Sequence, residues 1–300
     1  MISSLETRAK LACLYAGCVW GLFWIPLRAL TDAGLHDLWV TTVYFLVPAC
    51  LVLPILLLRW RSIWRGGVNL QLTVIASGAA LTLYSASIVF TDIVRALMLF
   101  YLMPIWSILL ARVVLGEQIT AIRIAAMGLA LAGMLILFGL GVSFPVPHNA
   151  GDWMGLAGGI FWAITMVRIR IHESENASID LTIGFFAWGL ILSTGVALCL
   201  APGHIPSFAQ APAVLPLLVL FMVFLVIPAT FASLWGPKFL NPGIVGLLFM
   251  TEIVVGAISA ALLAGEPFGY REAVGVTMIA GASLLEPLAS LRRSRQGAAP

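Results

Sequence analysis

The chain has 300 residues, of which 61% are hydrophobic and only 10% are charged, and its mean hydropathy is +1.06. A soluble globular domain carries about 25% charged residues, so this composition excludes an ordinary soluble fold. The net charge of +3 is small and reflects where the basic residues lie, so it gives no reason to expect nucleic-acid binding. We therefore expect an integral membrane protein.

Ten long apolar segments follow one another along the chain. A transmembrane helix needs about 20 mainly apolar residues, and continuous apolarity favours helices over the alternating strands of a barrel. The segments are residues 11–30, 38–58, 70–90, 93–113, 121–141, 153–171, 180–200, 213–234, 242–263 and 270–288. The sequence therefore predicts an all-α integral membrane protein with ten transmembrane helices, the first of them retained rather than cleaved.

The basic residues accumulate at alternate ends of these segments. Thirteen of the sixteen Lys and Arg residues lie in or beside one set of loops, whereas the loops 31–37, 143–152 and 201–213 contain none. Lys and Arg beside short loops are retained on the cytoplasmic side of a membrane. We therefore expect a multi-pass protein of a bacterial-type inner membrane with both termini in the cytoplasm.

Two motifs of the first half recur in the second half. Trp20 aligns with Trp162 at one constant offset, and Gly116-Glu117 aligns with Gly265-Glu266 at a slightly larger one, so a small insertion separates the two matches. Five helices per half is an odd number, so the second half would enter the membrane in the opposite orientation. Inverted repeats of this kind are typical of secondary transporters. The predicted repeats are residues 1–145 and 146–300.

Five short motifs occur in a fixed order over almost the full length of the chain. They are Val19-Trp20-Gly21, Tyr101-Leu102-Met103-Pro104, Leu115-Gly116-Glu117, Ile160-Phe161-Trp162-Ala163 and Gly265-Glu266. In this order they resemble the drug/metabolite transporter superfamily, in its EamA-type ten-helix branch, and are most similar to YddG-type aromatic amino acid exporters. One position departs from the pattern, because Ile253 stands where many relatives have a second proline to match Pro104. The resemblance therefore does not predict the same bend in both helices.

Aromatic residues near the membrane centre are the first candidates for a substrate site. Trp20 and Trp162 lie at matching depths, away from the interfacial belt where tryptophan is usually found. Tyr84 lies in a stripe of small and polar residues on the third segment that either packs on a helix or faces a cavity. The resemblance adds Tyr101 and Met103. Flat rings would suit an apolar or aromatic amino acid and attract its ammonium group.

Glu252 lies near the middle of the ninth segment. A carboxyl group at that depth is costly, so it faces the bundle interior and is a functional candidate, although a structural hydrogen bond is the alternative. Proline loosens the helical turn before it, and we expect Pro104 and Pro228 to act as hinges. Prolines are also ordinary in membrane helices, which is the competing interpretation.

The remaining polar residues argue against other classes of protein. His36, His148, His172 and His204 fall singly in loops, with no catalytic cluster or phosphate-binding loop beside them, so we expect no enzyme, cofactor or metal. A channel would show a ring of charged or polar groups, and none is evident. Sparse intramembrane charge also argues against phosphorylated substrates.

These observations predict a secondary transporter that works by alternating access through a central cavity. The expected substrates are small metabolites, above all amino acids with aromatic or hydrophobic side chains, and methionine- and threonine-sized ones as well. The alternative is a proton-coupled exporter of lipophilic cations that uses Glu252. The expected partners are the small-molecule substrate and the lipid bilayer, and the expected state is a monomer.

Overall fold

The computed structural model describes residues 2–138, 146–206 and 214–296, and within these ranges the side chains of residues 5–285. In these ranges the chain is helical, without strands. The first half contains α1 (Ile2–Trp20), α2 (Trp24–Asp32), α3 (Asp37–Arg65), α4 (Gly67–Phe90), α5 (Ile93–Phe100), α6 (Met103–Leu115) and α7 (Ala121–Phe138). The second half contains α8 (Ala150–Ile171), α9 (Ser178–Leu200), α10 (Leu215–Phe221), α11 (Ile227–Trp235), α12 (Pro242–Phe249), α13 (Thr251–Ala264) and α14 (Tyr270–Gln296).

All ten predicted segments lie in these helices. Nine stretches within the described residues are long and apolar enough to cross a bilayer, and α14 contains the tenth segment. Residues 139–141 and 213 of the predicted segments, and the predicted boundary at residue 145, lie outside the described residues. The predicted all-α membrane architecture is confirmed.

The helices of the two halves pair with each other in a symmetric pattern. Helix α4 packs along α8, and α1 packs along α11, so the first helix of each half contacts the third helix of the other. Helix α3 packs on α9, α6 on α12, and α7 on α14, which joins the second, fourth and fifth helices to their counterparts. A two-fold axis in the membrane plane produces this pattern, so the pairing supports the predicted inverted repeat.

The fourth and ninth segments have the same helix-capping features at equivalent positions, which are related by the offset of the Gly-Glu motif. Asp92 caps the start of α5, and Asn241 caps the start of α12, each with its side-chain oxygen on a first-turn N–H. Helix α6 ends at Gly116 (φ 68°, ψ 15°), and α13 ends at Gly265 (φ 71°, ψ 20°). Glycine suits these left-handed positions because it lacks a Cβ atom. The weak Gly-Glu motif therefore marks a real structural correspondence.

Both segments are also broken in the middle. Helix α5 ends before Tyr101 and Leu102, and α12 ends before Met250, which stands opposite Tyr101 at the same offset. Pro104 follows the first break, whereas Ile253 follows the second. The motif pattern, with no proline at position 253, does not predict a matching bend in the ninth segment. The structure shows that this bend forms without the proline.

The eighth segment contains a π-helical turn at Met222–Val226, directly before Pro228. The N–H of Ile227 there bonds the carbonyl of Met222, five residues back. Proline clashes with the carbonyl four residues before it in a regular α-helix, and a wider turn relieves that clash. Pro104 thus lies in the first turn after a break, and Pro228 lies two residues after a π-helical turn, while their action as hinges stays a prediction.

Two buried ion pairs connect the halves at opposite ends of the bundle. Arg95 of α5 holds Asp152 of α8 at 2.6 Å, and Asp152 is fully buried. Arg59 of α3 holds Asp180 of α9, also at 2.6 Å. A buried carboxylate requires such a partner because an isolated charge is very costly to desolvate. Arg95 is one of the three basic residues that do not lie beside the predicted cytoplasmic loops. Its charge is neutralised by Asp152.

Candidate substrate cavity

A cavity lies at the centre of the bundle, between both halves. Its walls come from α1, α4, α5, α6, α8, α9, α12 and α13. The lining residues are Trp20, Leu81, Tyr84, Phe100, Met103, Trp162, Phe185, Phe249 and Glu252. Glu252 is the one carboxyl group in this lining, and the other residues are aromatic or aliphatic. Such a cavity suits a molecule with an apolar body and a cationic group.

Six of the lining residues form three pairs related by the repeat. Trp20 corresponds to Trp162, and Phe100 corresponds to Phe249 at the offset of the Gly-Glu motif. Met103 and Glu252 form the third pair, at that same offset. The two breaks place their flanking residues in the cavity wall, because Phe100 and Phe249 precede the breaks while Met103 and Glu252 follow them.

Two glycines hold the broken helices close to the tryptophan-bearing helices. A Cβ atom on Gly17 would lie 3.4 Å from the Cα of Phe249, and one on Gly159 would lie 2.5 Å from the carbonyl oxygen of Phe100. Gly17 and Gly159 are themselves related by the offset that joins Trp20 to Trp162. Backbones approach this closely in membranes only where small residues line the interface. Gly17 and Gly159 therefore serve packing between helices of one chain.

A chain of polar contacts leads from α4 to Glu252. The side chain of Tyr101 interacts electrostatically with both the Glu252 carboxyl and the Tyr84 hydroxyl group. A phenol has one proton, so a hydrogen-bonded chain toward an ionised carboxylate would have Tyr84 donate to Tyr101 and Tyr101 donate to Glu252. The ring of Tyr84 also stacks on Phe100, with centroids 4.2 Å apart. Tyr101 thus contacts the site from behind the cavity wall.

Trp20 brings an unpaired hydrogen-bond donor to the lining. Its side chain is 8% exposed, and its indole N–H has no partner among the described residues. Buried polar groups are almost always hydrogen-bonded, so an unpaired donor beside a cavity needs an explanation. A bound solute that carries an acceptor group would satisfy it.

Residues 7–139 match the model of the EamA-like transporter family. The first half of the chain is therefore similar to the EamA-like transporter family. A solved crystal structure superposes on the protein with a TM-score of 0.75 at 16% identity, and the match covers 95% of this chain and 98% of the other. That likeness shows a shared fold over almost the whole chain. No curated protein sequence matches the chain.

The structure brings most of the predicted site residues together. Five of the six, all except Tyr101, line the cavity, and the Tyr101 side chain interacts with Glu252. Pro104 and Pro228 do not line it. In the polar stripe of α4, Thr73, Ser77 and Ser87 bond carbonyls of their own helix, so they serve packing against α8, while Tyr84 reaches the cavity.

Sequence reasoning missed four lining residues. They are Leu81, Phe100, Phe185 and Phe249. Phe185 has the most central place, because its ring lies 6.2 Å from that of Trp20 and 6.5 Å from that of Trp162. Phe100 comes directly before Tyr101 in the sequence, and the offset of the Gly-Glu motif leads from Phe100 to Phe249. This correspondence was the signal that could have identified both residues. Among the described residues no group of three or more His, Cys, Asp or Glu side chains is placed to hold a metal ion.

Proposed function

We propose that this protein is a secondary transporter that exports or facilitates the movement of amino acids with aromatic or hydrophobic side chains across a bacterial-type inner membrane. Methionine- and threonine-sized residues belong to the same proposed range. The observation that carries the proposal is a central aromatic cavity that holds one carboxyl group, Glu252, and one unpaired donor, the N–H of Trp20.

These two groups complement the two charges of a zwitterion. The Glu252 carboxylate would bind the ammonium group, assisted by the faces of Trp162 and Phe249. The Trp20 N–H would donate to the substrate carboxylate. The rings around Phe185, whose own ring lies 6.2 Å from that of Trp20 and 6.5 Å from that of Trp162, would contact the substrate side chain.

Transport would proceed by alternating access, with the repeats 1–145 and 146–300 as the moving halves. The breaks before Pro104 and the π turn before Pro228 are the points at which the helices can bend with least loss of hydrogen bonds. In this proposal the protein works as a monomer, and both termini face the cytoplasm.

A second candidate function rests on the absence of a basic residue from the described cavity lining. A substrate carboxylate would find only neutral donors there, whereas a lipophilic cation needs no anion partner. In this case Glu252 would bind either the cation or a proton, and the protein would be a proton-coupled exporter.

Uptake into proteoliposomes distinguishes the two functions. Labelled phenylalanine, methionine and threonine and one lipophilic cation are offered with and without a proton gradient. We expect amino acid flux without a gradient, and we expect Glu252→Gln to lower it because the ammonium loses its charged partner. Cation flux only under a proton gradient, abolished in Glu252→Gln, would establish the exporter instead. No flux of any of these solutes would contradict both functions.

A further inference from the structure

A second cavity lies where α3 gives way to α4, beside the loop that leads into α9. It has about 600 Å³ of empty space and polar walls. The lining residues are Ser62, Arg65, Gly66, Leu70, Glu175, Asn176, Ala177 and Asp180. It shares no residue with the central cavity, so the proposed transport does not explain it.

One wall of this cavity attracts anions. Arg65 is exposed, and its guanidinium makes no hydrogen bond or ion pair with the described residues. Helix α4, which is 24 residues long, begins beside it, and its N-cap residue Gly66 supplies no side-chain cap for the first-turn N–H groups. Uncapped N–H groups and a free guanidinium together favour a phosphate.

Asn176 and Glu175 bring hydrogen-bond acceptors to the same cavity, with the Asn176 side-chain oxygen beside Gly66. The side-chain oxygen of Asn176 has no partner among the described residues, although Asn176 is only 6% exposed, and Lys238 reaches only its backbone carbonyl. His172, whose Nδ1 lies 3.0 Å from a Glu175 carboxylate oxygen, and Asn69, which donates to that oxygen, hold the pKa of Glu175 below its usual value, so this carboxylate stays ionised at neutral pH. Asp180 is already neutralised by Arg59 and Ser62. The Asn176 oxygen is therefore the unpaired acceptor, and Glu175 adds a negative charge beside it.

The surroundings of the cavity are those of a membrane interface. Trp64 precedes Arg65 and is 81% exposed, and Val68 follows Gly67 and is 71% exposed. Tryptophan and long apolar side chains with this exposure lie against lipid at the level of the headgroups. A ligand that enters here would have its polar end in the cavity and an apolar remainder along α3 and α4.

We infer that this cavity binds the headgroup of a phospholipid that carries both a phosphate and a primary ammonium, as phosphatidylethanolamine does. The phosphate lies against Arg65 and the start of α4, and the ammonium donates to Asn176 and Glu175. A trimethylammonium headgroup such as that of phosphatidylcholine has no N–H to donate, so it leaves the Asn176 oxygen unpaired. The site therefore selects between two zwitterionic lipids of the same net charge.

The test measures the lipids that the purified full-length protein retains from mixed vesicles, by native mass spectrometry. Vesicles contain equal amounts of phosphatidylethanolamine, phosphatidylcholine and phosphatidylglycerol. We expect about tenfold enrichment of phosphatidylethanolamine over phosphatidylcholine, since a hydrogen bond to a charged group is at stake. Arg65→Ala and Asn176→Ala each remove this enrichment. Arg61→Ala is the matched control, because Arg61 lies over the ring of Trp60 and outside the cavity, and it leaves the enrichment unchanged.

Three results would overturn the inference. Equal retention of phosphatidylethanolamine and phosphatidylcholine would show that the ammonium is not recognised. Retention of phosphatidylglycerol at the level of phosphatidylethanolamine would reduce the cavity to an anion site. Soluble glycerophosphoethanolamine that displaces the lipid at the lipid's own concentration would identify a free solute as the ligand. Headgroup binding does not depend on which solute crosses the membrane, so its failure leaves the proposed transport unaffected.

Discussion

Glu252 and Met103 occupy equivalent positions in the two halves, and only one of them carries a charge. The repeat by itself would build a cavity with two similar sides. This pair breaks the symmetry, and Tyr101 and Tyr84 add their hydroxyl groups on the side of Glu252. A cationic group would therefore be held against the ninth segment, which fixes the direction in which the substrate lies.

The unpaired N–H of Trp20 leads to a prediction about a single hydrogen-bond donor. Trp20→Phe keeps an aromatic ring but removes the donor, so we expect KM for amino acids to rise about ten- to hundredfold, as for a lost hydrogen bond to a charged group. Uptake of a labelled amino acid by proteoliposomes measures the change.

Trp106→Phe is the matched control for this substitution. The N–H of Trp106 is also buried and unpaired among the described residues, but Trp106 does not line the cavity. Its replacement leaves KM unchanged. Equal effects of both substitutions would mean that Trp20 acts through packing rather than through its donor.

The sequence could reveal only those cavity residues that are unusual at their depth. Glu252, Trp20 and Trp162 are conspicuous in the middle of apolar segments because charge and indole are normally kept at the interfaces. Phe185 carries no such signal, since a phenylalanine in a membrane helix faces lipid as readily as protein. Its place is set by packing between helices that are distant in sequence, which no local pattern records.

At the level of the helices, the two central breaks are stabilised by different means. In the first half Pro104 has no N–H, so the break before α6 leaves one donor fewer to satisfy. In the second half the hydroxyl of Thr251 donates to the carbonyl of Leu248 at 2.7 Å and occupies an acceptor at the break. A search for paired prolines therefore misses the second break, whereas the offset shared with the Gly-Glu motif locates it.

Close contact between α8 and the end of α5 depends on Gly159. A Cβ atom there would lie 2.5 Å from the carbonyl oxygen of Phe100, and backbone cannot move away as a side chain can. We expect Gly159→Ala to destabilise the protein by about 1–3 kcal/mol, as overpacking does, and to displace Phe100 from the cavity. Thermal unfolding of the purified protein and amino acid uptake measure the two effects.

Gly128 of α7 provides the comparison for Gly159. A Cβ atom on Gly128 meets nothing within 4 Å. Gly128→Ala is therefore neutral or stabilises the helix by up to about 1 kcal/mol, since alanine loses less backbone entropy than glycine. If both variants unfold at the same temperature as the unchanged protein, the close approach at Gly159 is not required.

Over the whole molecule, the contacts between the halves can be compared with the orientation that the basic residues predict. Helices α3 and α9 are tied at one end by Arg59 and Asp180, and at the other end the indole N–H of Trp39 bonds the carbonyl of Ala201 at 3.0 Å. The charged end is the one that the basic loops assign to the cytoplasm. The ten apolar segments of the sequence predict ten helices. Which helices of the two halves contact each other is seen only in the folded chain.

This orientation predicts which loops an impermeant thiol reagent can reach in whole cells. In a variant without native cysteines, we expect His148→Cys and Gly203→Cys to react from outside, because both positions are exposed and lie in the loops without Lys or Arg. Ser174→Cys, exposed in the loop between α8 and α9, reacts only after the cells are permeabilised. The reverse pattern would place both termini outside, and labelling of all three positions in intact cells would disprove the proposed alternation of the loops.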